Sequence, residues 1–211
     1  DNNGNVMLLT ALAMQDIDLV EKLLRNGADV NLADASGESA ATYVINNNVD
    51  DKIVQQIYSK DIDVYNKVGK AQQPLWKILA AKEKWELLKA VFAKMGGVDK
   101  ADVNGDIPLY TLNLSEQDVS PEFQQLLLSY VTSEWLQENT VFIWQTVEHK
   151  NYSLWQKLVE IGFNPNLKNA SETSLVFYLL KNNYPSEWLE ELEKLQPDLN
   201  AADNNGQTPL G

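Results

Sequence analysis

His149 is the only histidine and cysteine is absent, so the side chains that most often do chemistry are nearly all missing. Disulfides, thiolate nucleophiles and thiolate metal sites are excluded together, and a metal site built from several imidazoles has no ligands. His149 reads as a surface residue at the end of a short helix, since a lone imidazole without a partner motif is rarely a catalytic base. Asp102, Asn104 and Asp106 imitate the opening of a calcium loop, which needs oxygen ligands at alternate positions. Its glycine is misplaced, however, and position twelve is Asn113 where the loop needs a glutamate. Glu190, Glu191 and Glu193 read as a solvated acidic face. Asp16, Asp18, Asp50 and Asp51 fall near helix starts, where carboxylates suit the helix dipole. No glycine loop shaped for phosphate occurs, nor a Gly-x-Ser-x-Gly elbow. Asn113-Leu-Ser, Asn151-Tyr-Ser and Asn169-Ala-Ser match the glycosylation pattern at the frequency chance gives a chain rich in Asn and Ser. No base, orienting group and charge stabiliser come together, so the expectation is a non-enzyme without cofactor or metal.

What remains is a surface, and composition says which surfaces it suits. The chain has 211 residues, 44% hydrophobic and 22% charged, with 8 Tyr, 6 Trp and 5 Phe, enough apolar area for a core along its whole length. Its formal charge is −13. Nucleic acids and anionic membranes are bound by clustered Lys and Arg, so neither is expected as a partner. A field of this sign steers a basic partner inward. No run reaches the ~18 apolar residues of a membrane span, and the start, Asp1 to Gly4, lacks the basic and apolar regions of a signal peptide. A cytoplasmic location is the default expectation.

The elements that would build this surface repeat. D-N-N-G-N-V-M-L from Asp1, D-V-N-G-D-I-P-L from Asp102 and D-N-N-G-Q-T-P-L from Asp203 are three copies of one signal for a turn followed by a helix start. Weaker copies stand at Asp34 to Ala41, Gln72 to Leu75 and Ser171 to Leu175. Anchored on the last apolar residue, the copies fall at Leu8, Ala41, Leu75, Leu109, Ile143, Leu175 and Leu210, with spacings of 33, 34, 34, 34, 32 and 35. A period of this size signals an array of small units that share one core. In the first unit the reading is a turn at Asn3-Gly4, a helix over Met7 to Met14 and a second over Ile17 to Arg25, stopped by Asn26-Gly27. Helix pairs are predicted at Ala41 to Asn46 with Ile53 to Tyr58, and at Leu75 to Ala81 with Trp85 to Ala93. Two more follow at Ile143 to Glu148 with Leu154 to Ile161, and at Leu175 to Leu180 with Glu187 to Leu195.

The first unit, from Gly4 to Asn31 with its Gly-Ala-Asp-Val-Asn close at Gly27 to Asn31, resembles an ankyrin repeat from end to end. Partial closes recur at Asp63-Val64, Gly97 to Asp99, Gly162 to Asn166 and Asp198 to Asn200. A tetratricopeptide array has nearly the same period, but the turns with Pro108 and Pro209 at helix starts favour the ankyrin-like reading. The expected fold is all-α: one ankyrin-like helix-turn-helix solenoid with short hairpin-like turns between repeats. Its repeats are read at 1–33, 34–67, 68–101, 102–135, 136–168 and 169–202, with a seventh opening at 203–211. The fourth unit departs most, with an apparent insertion over Ser115 to Pro121 and no Gly-Ala-Asp-like close after Leu128. Neither end looks like a polar cap, which implies a longer parent chain and leaves room for end-to-end association of an otherwise monomeric fragment.

The resemblance implies a protein-interaction module that holds a partner on its concave face, lined by turn tips and first helices. The tips would be Asp34, Ala35, Val68, Asp102, Val103, Asn169, Asp203 and Asn204. The exposed side of the first helices would include Thr10, Met14, Tyr43, Asn47, Lys77, Trp144, Glu148 and Phe177. After each anchor, where the family most often has a turn-tying histidine, stand Leu9, Thr42, Trp76, Tyr110, Trp144 and Val176. Large aromatics in such arrays mostly pack between repeats, whereas an exposed strip of Trp76, Tyr110, Trp144 and Phe177 would be the residue type that dominates interfaces. Two other functions stay open: an inhibitor or immunity-type protein that blocks a basic enzyme or toxin, and a targeting segment of a larger enzyme.

Overall fold

The structure is a computed structural model that describes residues 2–113 and 119–209, with side chains described from residue 6. The chain divides into two compact units, Asp1–Leu109 and Tyr110–Gly211. The division falls at the anchor of the fourth repeat.

In the first unit the helices come in pairs: α1 (Asn2–Ala13) with α2 (Ile17–Arg25), α3 (Ala40–Asn46) with α4 (Asp51–Tyr58), and α5 (Leu75–Ala81) with α6 (Trp85–Met95). Each pair forms for local reasons. Asp16 caps α2 by accepting from the Leu19 N–H at 3.0 Å, Asp18 sits in its first turn, and Lys22 and Arg25 lie in its last. Val20 and Leu24, four residues apart, are its buried stripe. Ser39 and Thr42 form a reciprocal capping box on α3. α6 ends at Gly96, whose φ of +83° closes the helix in the left-handed region. No single repeat buries its own apolar face. The core runs between pairs through Leu8, Leu12, Ile53, Ile57, Leu75, Leu79 and Leu88, none more than 1% exposed. Between the second and third pairs, β1 (Lys67–Val68) and β2 (Gln73–Pro74) form a two-stranded antiparallel hairpin, Val68 opposite Gln73.

In the second unit α9 (Thr140–Glu148) pairs with α10 (Tyr152–Ile161), and α11 (Leu175–Lys181) with α12 (Ser186–Glu193). They are preceded by a 3₁₀ helix over Pro108–Asn113, by α7 (Pro121–Leu128) and by α8 (Ser133–Glu138). The core here is aromatic. Trp155 stacks on Trp188 at 5.4 Å between centroids, and Tyr184 meets Trp188 edge-on at 5.1 Å. Trp144 meets Tyr178 edge-on at 5.4 Å.

The fold is therefore all-α, built of ankyrin-like helix-turn-helix repeats, with three departures from the sequence reading. Asn3-Gly4, read as a turn, is wound into α1. The later turns are braced by a preceding repeat, as when the Val103 N–H donates to the Tyr65 carbonyl at 3.1 Å, and no described residue plays that part for α1. The fourth repeat opens with a 3₁₀ helix in place of an α-helix. The connection before the fifth is a helix, α8, rather than an extended hairpin, capped by Thr132 accepting from the Trp135 N–H at 3.1 Å. The insertion read at Ser115 to Pro121 lies outside the described residues over 114–118.

Two phenols, Tyr58 buried and Tyr184 half-buried, tie helices together, the first within a repeat and the second between repeats. Tyr58 donates to the Ala41 carbonyl at 3.1 Å and Tyr184 to the Val147 carbonyl at 2.7 Å. Burial raises the Tyr58 phenol, and burial reinforced by nearby Tyr178 and Glu148 pushes Tyr184 up from 10.0 to about 12. A raised phenol keeps its proton in the folded chain where the unfolded chain gives it up, so its stabilisation is complete below pH ~10 and lost as pH rises through the folded value. Urea midpoints measured from pH 8 to 12 should fall steeply above pH ~10, and Tyr58→Phe with Tyr184→Phe should flatten that fall. A midpoint independent of pH over this range would contradict the assignment.

Candidate partner-binding surface

The tips of the surface are one turn used four times. At Asp34 the carboxylate Oδ1 accepts from the Ser36 and Glu38 N–H groups at 2.8 and 3.0 Å. Asp102 does so for Asn104 and Asp106 at 2.8 and 3.1 Å. The Asn169 amide oxygen serves Ser171 and Thr173, both at 3.0 Å, and Asp203 serves Asn205 and Gln207 at 2.8 and 3.0 Å. Each first residue also exchanges a backbone bond with the fifth, such as Asp102 N–H to the Asp106 carbonyl at 2.9 Å. This is why Asp or Asn opens every copy: a short acceptor satisfies the turn's own N–H groups. Asp34 is held below the usual carboxylate range chiefly by the Ser36 hydroxyl, and Asp203 chiefly by the Gln207 N–H. The cation-loop imitation at Asp102 to Asp106 is this turn.

The fourth residue of the turn sits at positive φ, +86° at Gly37 and +82° at Gly105. The two glycines differ in surroundings. A Cβ on Gly105 would meet nothing within 4 Å, whereas one on Gly37 would stand 3.1 Å from the Gly69 carbonyl oxygen. Gly105→Ala should cost about 1 kcal/mol for the left-handed backbone alone. Gly37→Ala should cost roughly 2–3 kcal/mol, because a backbone carbonyl must also move. Paired urea melts check this. Equal losses would show that the Gly37 approach is unimportant.

Behind the tips, side chains tie turn to helix. The Trp76 indole N–H on α5 donates to Asp102 Oδ2 at 2.9 Å, and Lys77 on the same helix pairs with Asp106 of the same turn. The Asn31 amide bridges repeats by donating to the Asp61 carbonyl at 2.6 Å and accepting from the Asp63 N–H at 2.8 Å.

The predicted surface residues fall into two groups. Thr10, Met14, Asp34, Asn47 and Glu148 are exposed, Met14 at 68%. Tyr43, Lys77, Phe177 and Asp203 are half-buried. Among the other tips Ala35, Val103 and Asn204 are exposed, while Val68 and Asn169 are half-buried. Asp102 and Trp144 are corrections: at 7% and 8% exposure they belong to the interior. Asp102 is consumed by its turn and by Trp76, and Trp144 by its packing on Tyr178. The aromatic strip after the anchors is likewise inside at Trp76, which donates to Asp102, and half-buried at Phe177 and at Tyr110, which meets Phe142 edge-on at 5.5 Å. Exposed apolar side chains not named from sequence are Val6, Met7, Tyr65, Tyr130, Val141 and Leu180. Met7 lies seven residues before Met14 on the same helix face, a spacing that could have revealed it.

His149 is exposed, with Nδ1 2.7 Å from the Gln145 carbonyl just beyond α9, a helix-end contact. Among the described residues no three His, Cys, Asp or Glu stand together as a metal site, and no helix is long and apolar enough to cross a membrane.

Repeat period, helix pairs and the recurring turn define the class as ankyrin-like helical repeats. No family model matches the chain, and no curated protein matches it. Among solved structures it is similar to an ankyrin repeat domain from Acinetobacter baumannii AYE, with a TM-score of 0.40 and 18% identity over 90% of this chain and 81% of that one. It is also similar to a chain in a complex of a predatory endopeptidase from Bdellovibrio bacteriovorus with an immunity protein. There the TM-score is 0.38 and the identity 17%, over 97% of this chain and 88% of that one. Likenesses at this level leave the architecture resting on the helix pairs and turns.

Proposed function

We propose that the chain is a protein-interaction module that binds a partner through the first-helix face and turn tips of its repeats. The observation that carries this reading is a register. Thr10, Tyr43 and Lys77 stand two residues after successive anchors, and Met14 and Asn47 six after, all outside the fully buried core. A solvent-facing methionine on a helix that elsewhere buries Leu8 and Leu12, with a second, Met14, just past its end, is what an adaptable binding surface uses. The test is retention of partners from the source lysate by the whole chain and by a Met14→Glu, Tyr43→Ala variant, quantified by mass spectrometry. The expected result is one stoichiometric protein whose retention drops at least about tenfold in the variant, as for loss of interface anchors. Equal retention would move the site off this face, and no specific retention by either form would sink the reading.

A narrower reading, an inhibitor or immunity-type protein against a basic enzyme or toxin, is favoured by the charge of −13. It requires steep weakening of binding with salt, through a slower on-rate. Salt-independent binding would remove it and leave the broader function standing.

A further inference from the structure

Asn-Gly occurs four times, at Asn3, Asn26, Asn104 and Asn205. In this dipeptide the second residue's nitrogen meets least hindrance in approaching the side-chain carbonyl before it, because glycine has no Cβ. Sequence alone leaves the four copies equivalent. The fold separates them. Asn3-Gly4 is wound into α1 and Asn26-Gly27 closes α2. Asn104-Gly105 and Asn205-Gly206 are instead the third and fourth residues of two turn tips.

The end of α2 holds its amide: Asn26 Nδ2 donates to the Lys22 carbonyl at 2.7 Å. Among the described residues the side-chain amides of Asn104 and Asn205 make no hydrogen bond, and both residues are exposed. The glycine N–H does not distinguish the places. It donates to the Leu24 carbonyl at 3.2 Å in Gly27, to the Asp102 carbonyl at 2.9 Å in Gly105 and to the Asp203 carbonyl at 3.0 Å in Gly206. Freeing the nitrogen costs each place one backbone bond, whereas only Asn26 must also surrender a bond of its amide. Exposed turns give up such bonds by local opening, without unfolding the repeats behind them.

We propose that Asn104 and Asn205 are sites of spontaneous deamidation, at which the turn tips convert themselves to aspartate and isoaspartate. A solvent base removes the Gly105 amide proton, and the nitrogen attacks Asn104 Cγ. The N–Cγ bond forms, the Cγ–Nδ2 bond breaks, and ammonia leaves after taking up a proton. Water then opens the succinimide ring. Cleavage of the new N–Cγ bond gives aspartate. Cleavage of the original peptide bond gives isoaspartate, in which the chain runs through the side chain and is one methylene longer. Either product adds a negative charge to a chain whose formal charge is already −13. The longer chain also disturbs the tip, because Asp102 Oδ1 accepts from the N–H groups of Asn104 and Asp106 while Oδ2 holds Trp76 on α5. Isoaspartate at position 104 therefore loosens the tie between tip and helix. The modification stands whether or not that face binds a partner.

The test ages the whole chain in mildly alkaline buffer, one half folded and the other unfolded in urea, and follows each Asn-Gly by mass spectrometric peptide mapping. In urea Asn26, Asn104 and Asn205 should convert at rates within about twofold of one another, since glycine follows each. In the folded chain Asn104 and Asn205 should convert at least about fivefold faster than Asn26, the factor that one further hydrogen bond sets. Isoaspartate should appear among their products. Asn104→Gln, whose attack would have to close a six-membered ring, should leave position 104 unmodified while Asn205 converts as before. Equal rates at Asn26 and Asn104 in the folded chain overturn the proposal, as does conversion confined to the urea sample.

Discussion

Trp155→Ala is expected to destabilise the second unit by about 3–5 kcal/mol, the usual cost of truncating a large buried aromatic. Trp155 is fully buried and is shared by two repeats. Its ring stacks on Trp188 at 5.4 Å and tilts against Phe163 at 5.7 Å, and its indole N–H donates to the Trp188 carbonyl at 3.2 Å. Alanine therefore removes the stack, opens a cavity between α10 and α12, and takes away the donor that carbonyl uses. Trp155→Phe should cost less, about 1–3 kcal/mol, because it keeps ring contact and loses mainly volume and the hydrogen bond. Urea denaturation followed by circular dichroism gives the total, and amide exchange localises it, with protection falling first in α10 and α12. A loss below about 1 kcal/mol would mean that the neighbouring repeats hold together without this contact.

The repeats were legible where local chemistry and period agree. α2 and α5 occupy the residues read for them: at α2 a cap, an apolar stripe and a stop signal coincide over Asp16 to Gly27, and at α5 the stripe of Leu75 and Leu79 follows Pro74 without a side-chain cap. The second helices at α4 and α10 begin two residues earlier than read, since Asp50 and Asn151 cap ahead of the first apolar residue. α8 was missed for want of a glycine close, yet Ser133-Glu-Trp-Leu repeats Ser186-Glu-Trp-Leu, and both open helices. The turn at Asn3-Gly4 failed for a different reason: the letters are those of Asp203 to Gly206, but a hairpin turn is completed by a neighbour's backbone, which letters do not carry. The site was less legible than the fold. Whether an aromatic after an anchor faces solvent or the next repeat depends on how closely two helices approach. Trp76 and Trp144 are drawn inside while Phe177, one residue further from its anchor than Trp144 is from its own, stays half-exposed. The turn carboxylates posed the opposite problem, because acceptors that resemble cation ligands are already spent on backbone N–H groups.

Asp102 separates two roles that the other turn residues do not combine. Oδ1 closes its own turn through Asn104 and Asp106, and Oδ2 holds the Trp76 indole N–H at 2.9 Å, twenty-six residues back in the chain. Asp102→Ala loses both and should cost about 2–4 kcal/mol, the sum of a lost turn cap and a buried charge-assisted hydrogen bond. Asp102→Asn should keep the turn, since Asn169 closes the equivalent turn with an amide oxygen at 3.0 Å to both N–H groups. Its amide NH₂ then points at the indole N–H, donor against donor, so a cost of about 1–2 kcal/mol is expected from that contact alone. Trp76→Phe removes the same hydrogen bond from the other side. A double-mutant cycle of Asp102→Asn with Trp76→Phe should therefore show a coupling above about 0.5 kcal/mol. Coupling near zero would mean the tip is held by its own backbone bonds and by Lys77 with Asp106. If the coupling is present, the tip and the first-helix face of α5 move as one rigid element. A partner that spans both would then lose affinity in Asp102→Asn although no surface side chain has changed, because the free protein must first order a loosened tip.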